Sequence, residues 1–153
     1  DDCSAKAEAM AEKLGYDVKA NWVSKPLDDN TIYVNLVATQ GSFVLYPDHV
    51  KMVVDIYTGR VVGIEAFAYL VNHTERQLPQ EEGLGAAVDK LRDGFEVTDT
   101  NFAVIPVGNG EKACYEFRGM CDGEEFFVYI DMETKEEVEI LKILKDKEGY
   151  TVI

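Results

Sequence analysis

The sequence predicts an α+β protein in which one helix and an antiparallel meander occur together, twice. Three observations carry this expectation. Two stretches show helical spacing of apolar residues and lie 77 positions apart. Each is followed by runs of alternating apolar residues. "DIYTGRVVGI" at 55–64 is matched 76 positions later by "DMETKEEVEI" at 131–140. An internal repeat is sought before other patterns because missing it misassigns the whole fold. Two copies are too few for a solenoid, so each helix is expected to cover one face of its own antiparallel sheet.

The first helix is expected over 4–15. Ala7, Met10, Ala11 and Leu14 fall at i, i+3, i+4 and i+7, one face of a helix. Ser4 is its candidate N-cap and Gly15 its left-handed C-cap. The second is expected over 79–94, where Leu84, Ala87, Val88 and Leu91 repeat the spacing. Pro79 stands at the first turn, with Glu81 and Glu82 near the positive end of the helix dipole. Gly83 and Gly85 weaken this helix, which must then depend on packing. Ala7 and Leu84, and Leu14 and Leu91, are expected in equivalent buried positions.

Strands follow. Ile32, Val34, Leu36 and Ala38 alternate, as do Val50, Met52, Val54 and Ile56. Adding 76 to the last set reaches Phe126, Val128, Ile130 and Met132, all apolar. The turn signals between strands are "LDDN", "YPD", "YTGR", "GNGE", "CDGE" and "DKEG". Asp55, Thr58 and Gly59 fit a type I hairpin turn closed by a left-handed residue: Asp and Thr cap free N–H groups and Gly supplies the positive φ. Asp131 and Thr134 repeat the pattern, but Lys135 replaces the glycine. A positive φ there would cost roughly 1–2 kcal/mol, so Lys135→Gly is expected to stabilise.

The bulk numbers exclude several function classes. The chain has 153 residues, 29 acidic against 15 basic, and a net charge of −14. Such a surface repels phosphate backbones and anionic lipid, so no nucleic acid or direct membrane partner is expected. The longest apolar run, "AFAYLV" at 66–71, is far below the ~18 residues of a membrane span. The first residue is Asp, so any signal or anchor is expected upstream. Cys3, Cys114 and Cys121 have no metal-type spacing and read as free or buried thiols.

The helix followed by strands ending in "VVDIYTGRVVGI", and less closely "YIDMETKEEVEI", resembles the PepSY domain family. "VLYPDHV" at 44–50, "AYLVNHTERQLP" at 68–79 and "CYEFRG" at 114–119 resemble the carboxy-terminal PepSY-repeat region of the YpeB spore germination family. The resemblance implies a first PepSY-like repeat at 1–68, a junction at 69–78 and a second repeat at 79–153. It implies a non-enzymatic interaction and stabilising module that binds, protects or localises a cortex-lytic cell-wall hydrolase. The location implied is extracytoplasmic and spore-associated, anchored through an amino-terminal segment outside this chain. An alternative is a PepSY-type peptidase inhibitor or intramolecular chaperone. No cofactor or catalytic residue comes with the resemblance.

Candidate partner-binding residues are Tyr46, Tyr69, Asn72, His73, Glu75 and Arg76. Tyrosines flank the family-like signatures, and tyrosine is favoured at interfaces. The competing explanation is a brace in which Arg76 bridges carbonyls and His73 fills a half-buried site. With His49 and His73 as the sole histidines, zinc lacks its usual ligand set. "NHT" at 72–74 matches a glycosylation pattern that occurs often by chance. Ser4, Ser24 and Ser42 lack a nucleophile-elbow context. Glu116, Asp131 and Glu139 raise a third possibility, a wall-polymer hydrolase, which would need two carboxyl groups about 5–9.5 Å apart in a cleft.

Overall fold

The structure, a computed structural model, describes residues 2–26, 29–146 and 149–152. Parts of two expected turns, "LDDN" and "DKEG", therefore lie outside the described residues. The protein is α+β with a mostly antiparallel sheet and few helices. It divides into two compact units. One holds the chain up to Thr39, Leu45–Thr74 and Lys145–Thr151; the other holds Gln40–Val44 and Glu75–Leu144 with the last residues.

In the first unit, helix α1 (Asp2–Lys13) is followed by strands β1 (Lys19–Ser24), β2 (Thr31–Gln40), β3 (Phe43–Asp55) and β4 (Val61–Glu65), then helix α2 (Phe67–Asn72). The helix begins two residues before Ser4. Ser4 is thus inside the first turn and not its N-cap, while Asp2 pairs with Lys6 one turn on at 3.0 Å. At the other end the expected left-handed cap is present: Gly15 has φ 84°. The N–H of Tyr16 bonds the Ala11 carbonyl and that of Gly15 the Glu12 carbonyl, the paired closure of a Schellman motif. This closure places Leu14 at the cap, where it is 50% exposed and not buried. The packed face is instead Ala7 and Ala11, both 0% exposed. Glu8 ties the helix to β1 by accepting the Ala20 N–H at 2.8 Å.

Strand β2 lies between β1 and β3, and β4 pairs with the far end of β3. The antiparallel β1–β2 register carries a bulge between Ala20 and Trp22. The alternating set is buried where expected: Val34, Leu36, Val50, Met52 and Val54 are each 0% exposed. One expected turn is absent. "YPD" does not break the chain but runs through β3, with Pro47 and Asp48 buried. The sequence signal failed because proline's missing N–H is tolerable in a strand wherever no ladder bond is needed.

The second unit contains helix α3 (Leu84–Val88) and strands β5 (Glu96–Val107), β6 (Gly110–Cys121), β7 (Glu124–Asp131) and β8 (Glu137–Asp146); β9 (Gly149–Val152) ends the described chain. Strands β5 to β8 form an antiparallel meander. Tyr115 and Phe117 are almost wholly buried, and Phe102 packs near Phe43 with ring centroids 5.3 Å apart. The expected helix over 79–94 shrinks to five residues. Gly83 takes φ 85° at its start, and the glutamates before it are used otherwise. Glu81 accepts the Ser42 N–H and hydroxyl at 2.7 and 2.8 Å, while the Glu82 carbonyl accepts the Tyr115 hydroxyl at 2.9 Å. These anchors hold the segment out of a helix, and two glycines cost a helix about 1 kcal/mol each. Leu84 and Leu91 are half-buried rather than core residues.

Gly119 pairs with Val97 on one side and Phe126 on the other. A β-carbon there would run into the Glu96 carbonyl oxygen, which is backbone, and lie 2.6 Å from the Phe95 ring. Gly119→Ala should therefore destabilise by about 1–3 kcal/mol, the usual cost of overpacking. Gly110→Ala, whose β-carbon comes no nearer than 4.0 Å to the Val107 carbonyl, should change little. Urea unfolding of the two variants measures the difference; equal midpoints would contradict the close approach.

Candidate functional site

The junction is ordered by its own side chains. Asp48 on β3 is 0% exposed, and its carboxylate lies 2.8 Å from His73 Nδ1. A buried carboxylate is costly without a charged or hydrogen-bonding partner, and His73 supplies one. The imidazole stacks on Tyr69 with centroids 4.3 Å apart, and Tyr69 takes the edge of Tyr16 at 5.1 Å. Asn72 donates to the Pro47 carbonyl at 3.2 Å. Thus α2, a helix that starts at the end of the expected first repeat and runs into the expected junction, and that its apolar run did not reveal, is fixed against β3 and the turn after α1.

Arg76 is held within the second unit. Its Nε and Nη2 donate to Glu111 at 2.8 and 2.9 Å, a bidentate pairing. Its N–H bonds Gln40 Oε1 and its carbonyl accepts from Gln40 Nε2. Arg76, Gln77, Leu78, Val104, Glu111, Lys112 and Ala113 line a shallow cleft of about 310 Å³. Tyr46 is half-buried in β3, and Glu75 is exposed. Tyr69, Asn72 and His73 cluster against β3, whereas Arg76 joins Glu111.

Sequence reading missed the outward side of the same helix. Phe67, Leu70 and Val71 are 73%, 69% and 63% exposed. Their i, i+3, i+4 spacing places them on one face. The signal was available in "AFAYLV", but its apolar residues read equally as core.

The two Asp-x-x-Thr sites form closely similar turns. The Gly59 N–H bonds the Asp55 carbonyl, and the Lys135 N–H bonds the Asp131 carbonyl, both at 2.8 Å. Asp55 Oδ1 accepts the N–H groups of Tyr57 and Thr58; Asp131 Oδ1 accepts those of Glu133 and Thr134. Thr58 and Thr134 each accept a further N–H, from Arg60 and Glu136. Gly59 has φ 67° and Lys135 φ 62°. The Thr58 N–H and hydroxyl hold the Asp55 carboxyl below its ordinary value. Burial pushes Asp131 up, but the Lys112 ammonium at 2.8 Å and the N–H groups of Glu133 and Thr134 outweigh it. Lys112 is in turn raised by its bond to Asp131.

These contacts also bear on the hydrolase possibility. Asp131 is committed to its turn and to Lys112. Glu116 is 3% exposed and accepts the Tyr129 hydroxyl at 2.7 Å and the Asn101 amide at 3.3 Å. Glu139 is exposed on β8. Burial pushes the Cys114 thiol up to about 12, so it is not a ready nucleophile at neutral pH. Among the described residues, no group of three or more His, Cys, Asp or Glu is placed to share a metal ion, and no helix is long and apolar enough to cross a membrane.

Residues 1–79 match the family model described as YpeB sporulation, PepSY1 and PepSY2 domains. The chain is 30% identical over 151 residues to the sporulation protein YpeB of Halalkalibacterium halodurans, covering 97% of this chain and 34% of that protein. It is 30% identical over 146 residues to the sporulation protein YpeB of Bacillus subtilis, covering 92% and 32%. It thus spans about a third of the length of the curated relatives it matches. The solved structure of the Bacillus megaterium YpeB C-terminal domain is similar with a TM-score of 0.82 and 26% identity, over 94% of this chain and 65% of that one.

Two predictions arise from the turns. The Lys135 ammonium donates to the Tyr115 hydroxyl at 3.0 Å and the Met132 carbonyl at 2.6 Å, and lies 5.0 Å from the Tyr115 ring centroid. These contacts reverse the sign expected from backbone strain alone. Lys135→Gly relieves roughly 1–2 kcal/mol of strain but loses two charged hydrogen bonds worth about 1.5–3 kcal/mol each before solvent screening. It should destabilise by about 1 kcal/mol, measured by urea unfolding; a gain in stability would mean the ammonium contacts are worth less than the strain relieved.

The Asp131–Lys112 pair predicts a pH window. A depressed carboxyl contributes stability above the unfolded carboxylate range and loses it as pH falls through the folded value. A raised lysine contributes fully below the unfolded lysine value and loses it as pH rises through its folded value. The stability gap between the native chain and Asp131→Asn should therefore be level from about pH 5 to pH 10. It should shrink below about pH 4. A gap that grows on acidification would refute the assignment.

Proposed function

The chain belongs to the YpeB sporulation family, and from that premise we propose that it acts in spore germination as a non-catalytic module that binds and stabilises a cortex-lytic cell-wall hydrolase. The observation that carries this reading is the junction. Asn72 and His73 lie on the surface, yet each is pinned within the first unit, His73 by Asp48 and Asn72 by the Pro47 carbonyl. A segment held in one conformation loses little entropy on binding, which suits a recognition surface. An acidic chain of net charge −14 favours a partner with a basic face. The engaged state of Glu116 and Asp131 supports a binding role over hydrolysis. The location that accompanies this role is extracytoplasmic and spore-associated. A peptidase partner is the second reading, supported by the PepSY domains named in the family match.

The test separates brace from interface. Co-purification with a cortex-lytic hydrolase should succeed for the native chain, which alone should cleave neither peptidoglycan nor peptide. His73→Ala removes a hydrogen-bond partner of a buried carboxylate and should lower the melting temperature by several degrees. Glu75→Ala, at an exposed position, should weaken partner retention out of proportion to any change in melting temperature, the reverse of His73→Ala. Retention of the hydrolase by Glu75→Ala at native strength would count against the junction as the binding surface. Cleavage of either polymer by the isolated chain would overturn the non-catalytic reading.

A further inference from the structure

The shallow cleft beside Arg76 lies within the second unit and has two unlike walls. One wall is the β5–β6 pair, where Val104 stands opposite Ala113. Val104 is 2% exposed and Ala113 half-buried, so this floor is small and apolar. The other wall is formed by Gln77 and Leu78, which belong to no helix or strand. Arg76 anchors that wall. Its side chain is bidentate to Glu111 on β6, and its N–H and carbonyl are both bonded by the Gln40 amide. Leu78 precedes Pro79, and a following proline pushes a residue out of the helical region towards extended backbone.

Three features bear on what such a cleft takes. Among the described residues, no protein group hydrogen-bonds the main-chain N–H or C=O of Gln77 or Leu78. Main-chain groups left open beside a cleft are what an incoming strand pairs with; the pairing supplies affinity, and a pocket for a side chain supplies selection. The charged lining is already neutralised, Arg76 by Glu111 and Lys112 by Asp131, each at 2.8 Å. The cleft therefore favours an uncharged occupant. Its volume of about 310 Å³ lies at the bottom of the roughly 300–1,000 Å³ usual for ligand pockets, which leaves room for a few residues of chain and not for a packed helix. We propose that the cleft is a peptide-binding site. It takes a short extended segment of another polypeptide, with the main chain against Gln77 and Leu78 and one side chain of alanine or valine size over Val104 and Ala113. This proposal goes beyond the hydrolase-binding reading and does not depend on it, since that reading concerns the exposed Asn72, His73 and Glu75.

The test titrates the whole chain, isotopically labelled at nitrogen, with acetyl-Ala-Val-Ala-amide and follows the backbone amide signals by nuclear magnetic resonance. Binding with a Kd below about 1 mM should move the signals of Gln77 and Leu78 together with that of Ala113. The same peptide with its backbone amides N-methylated has no main-chain N–H to offer and should bind at least about tenfold more weakly. Ala113→Phe, which fills the cleft with a ring, should abolish the shifts at Gln77 and Leu78 while the melting temperature stays within a few degrees of native. Absence of any shift at these amides would overturn the proposal. So would native-strength binding of the N-methylated peptide, or shifts that persist in folded Ala113→Phe. N-acetylglucosamine is titrated in parallel, and shifts of the same amides by the sugar but not by the peptide would overturn the proposal in favour of a carbohydrate site. The N-methylated probe leaves the protein unaltered, so the proposal stays testable if Ala113→Phe fails to fold.

Discussion

The first unit is organised around a carboxylate that water does not reach. Asp48 is completely buried in the middle of β3, in a strand otherwise lined by Leu45, Val50, Met52 and Val54. Removing a charge from water costs several kcal/mol unless partners replace the lost hydration. His73 stands 2.8 Å away, and the requirement that it stay there fixes much else. It sets where α2 ends, why Asn72 reaches Pro47, and why Tyr69 is stacked beneath the imidazole and braced by Tyr16. A polar contact in the sheet thus determines how a short helix with weak intrinsic propensity is seated. Six residues are too few for a helix to persist by its own hydrogen bonds, so α2 exists because the docking exists.

What could be read from the sequence was local. The Schellman closure at Gly15, the alternation of Val50, Met52 and Val54, and the Asp-x-x-Thr geometry each depend on residues within a few positions. The pattern alone therefore specified them. What could not be read depended on distant residues. The stretch 79–94 has helical spacing, but Ser42 takes Glu81 and Tyr115 takes the Glu82 carbonyl from far along the chain. Once those bonds form, the weak glycine-containing helix has less to offer than the loop. Leu14 had the right periodicity, yet helix closure carried it off the packed face. The proline of "YPD" signalled a turn because a sequence cannot show which strand positions need no donor.

The candidate site divides on the same line. Residue types at the junction were legible, since an imidazole, a carboxylate and a guanidinium within four positions stand out. Their destinations were not. His73 and Arg76 are three residues apart, but one answers to a buried aspartate on β3 and the other to Glu111 on β6. Charged side chains choose partners by three-dimensional proximity, and spacing along a loop carries almost none of that information. The outward face of α2 was hidden for a different reason: an apolar run gives no sign of which of its sides meets water.

The second turn shows how one backbone shape is held by two chemistries. At Gly59 the left-handed conformation is inexpensive because there is no side chain. At Lys135 it is strained, and the side chain is retained by Tyr115 and the Met132 carbonyl. Tyr115 also donates to the Glu82 carbonyl, beside Gly83, where a β-carbon would meet the tyrosine hydroxyl. Positions 83, 115 and 135 are therefore epistatic: the residue each tolerates depends on the other two. Neutral drift cannot replace the lysine first, the tyrosine first or the glycine first without passing through a less stable intermediate. A lineage that carries lysine at this turn is thereby bound to keep a hydroxyl-bearing ring twenty residues upstream, and the two should be inherited or lost together.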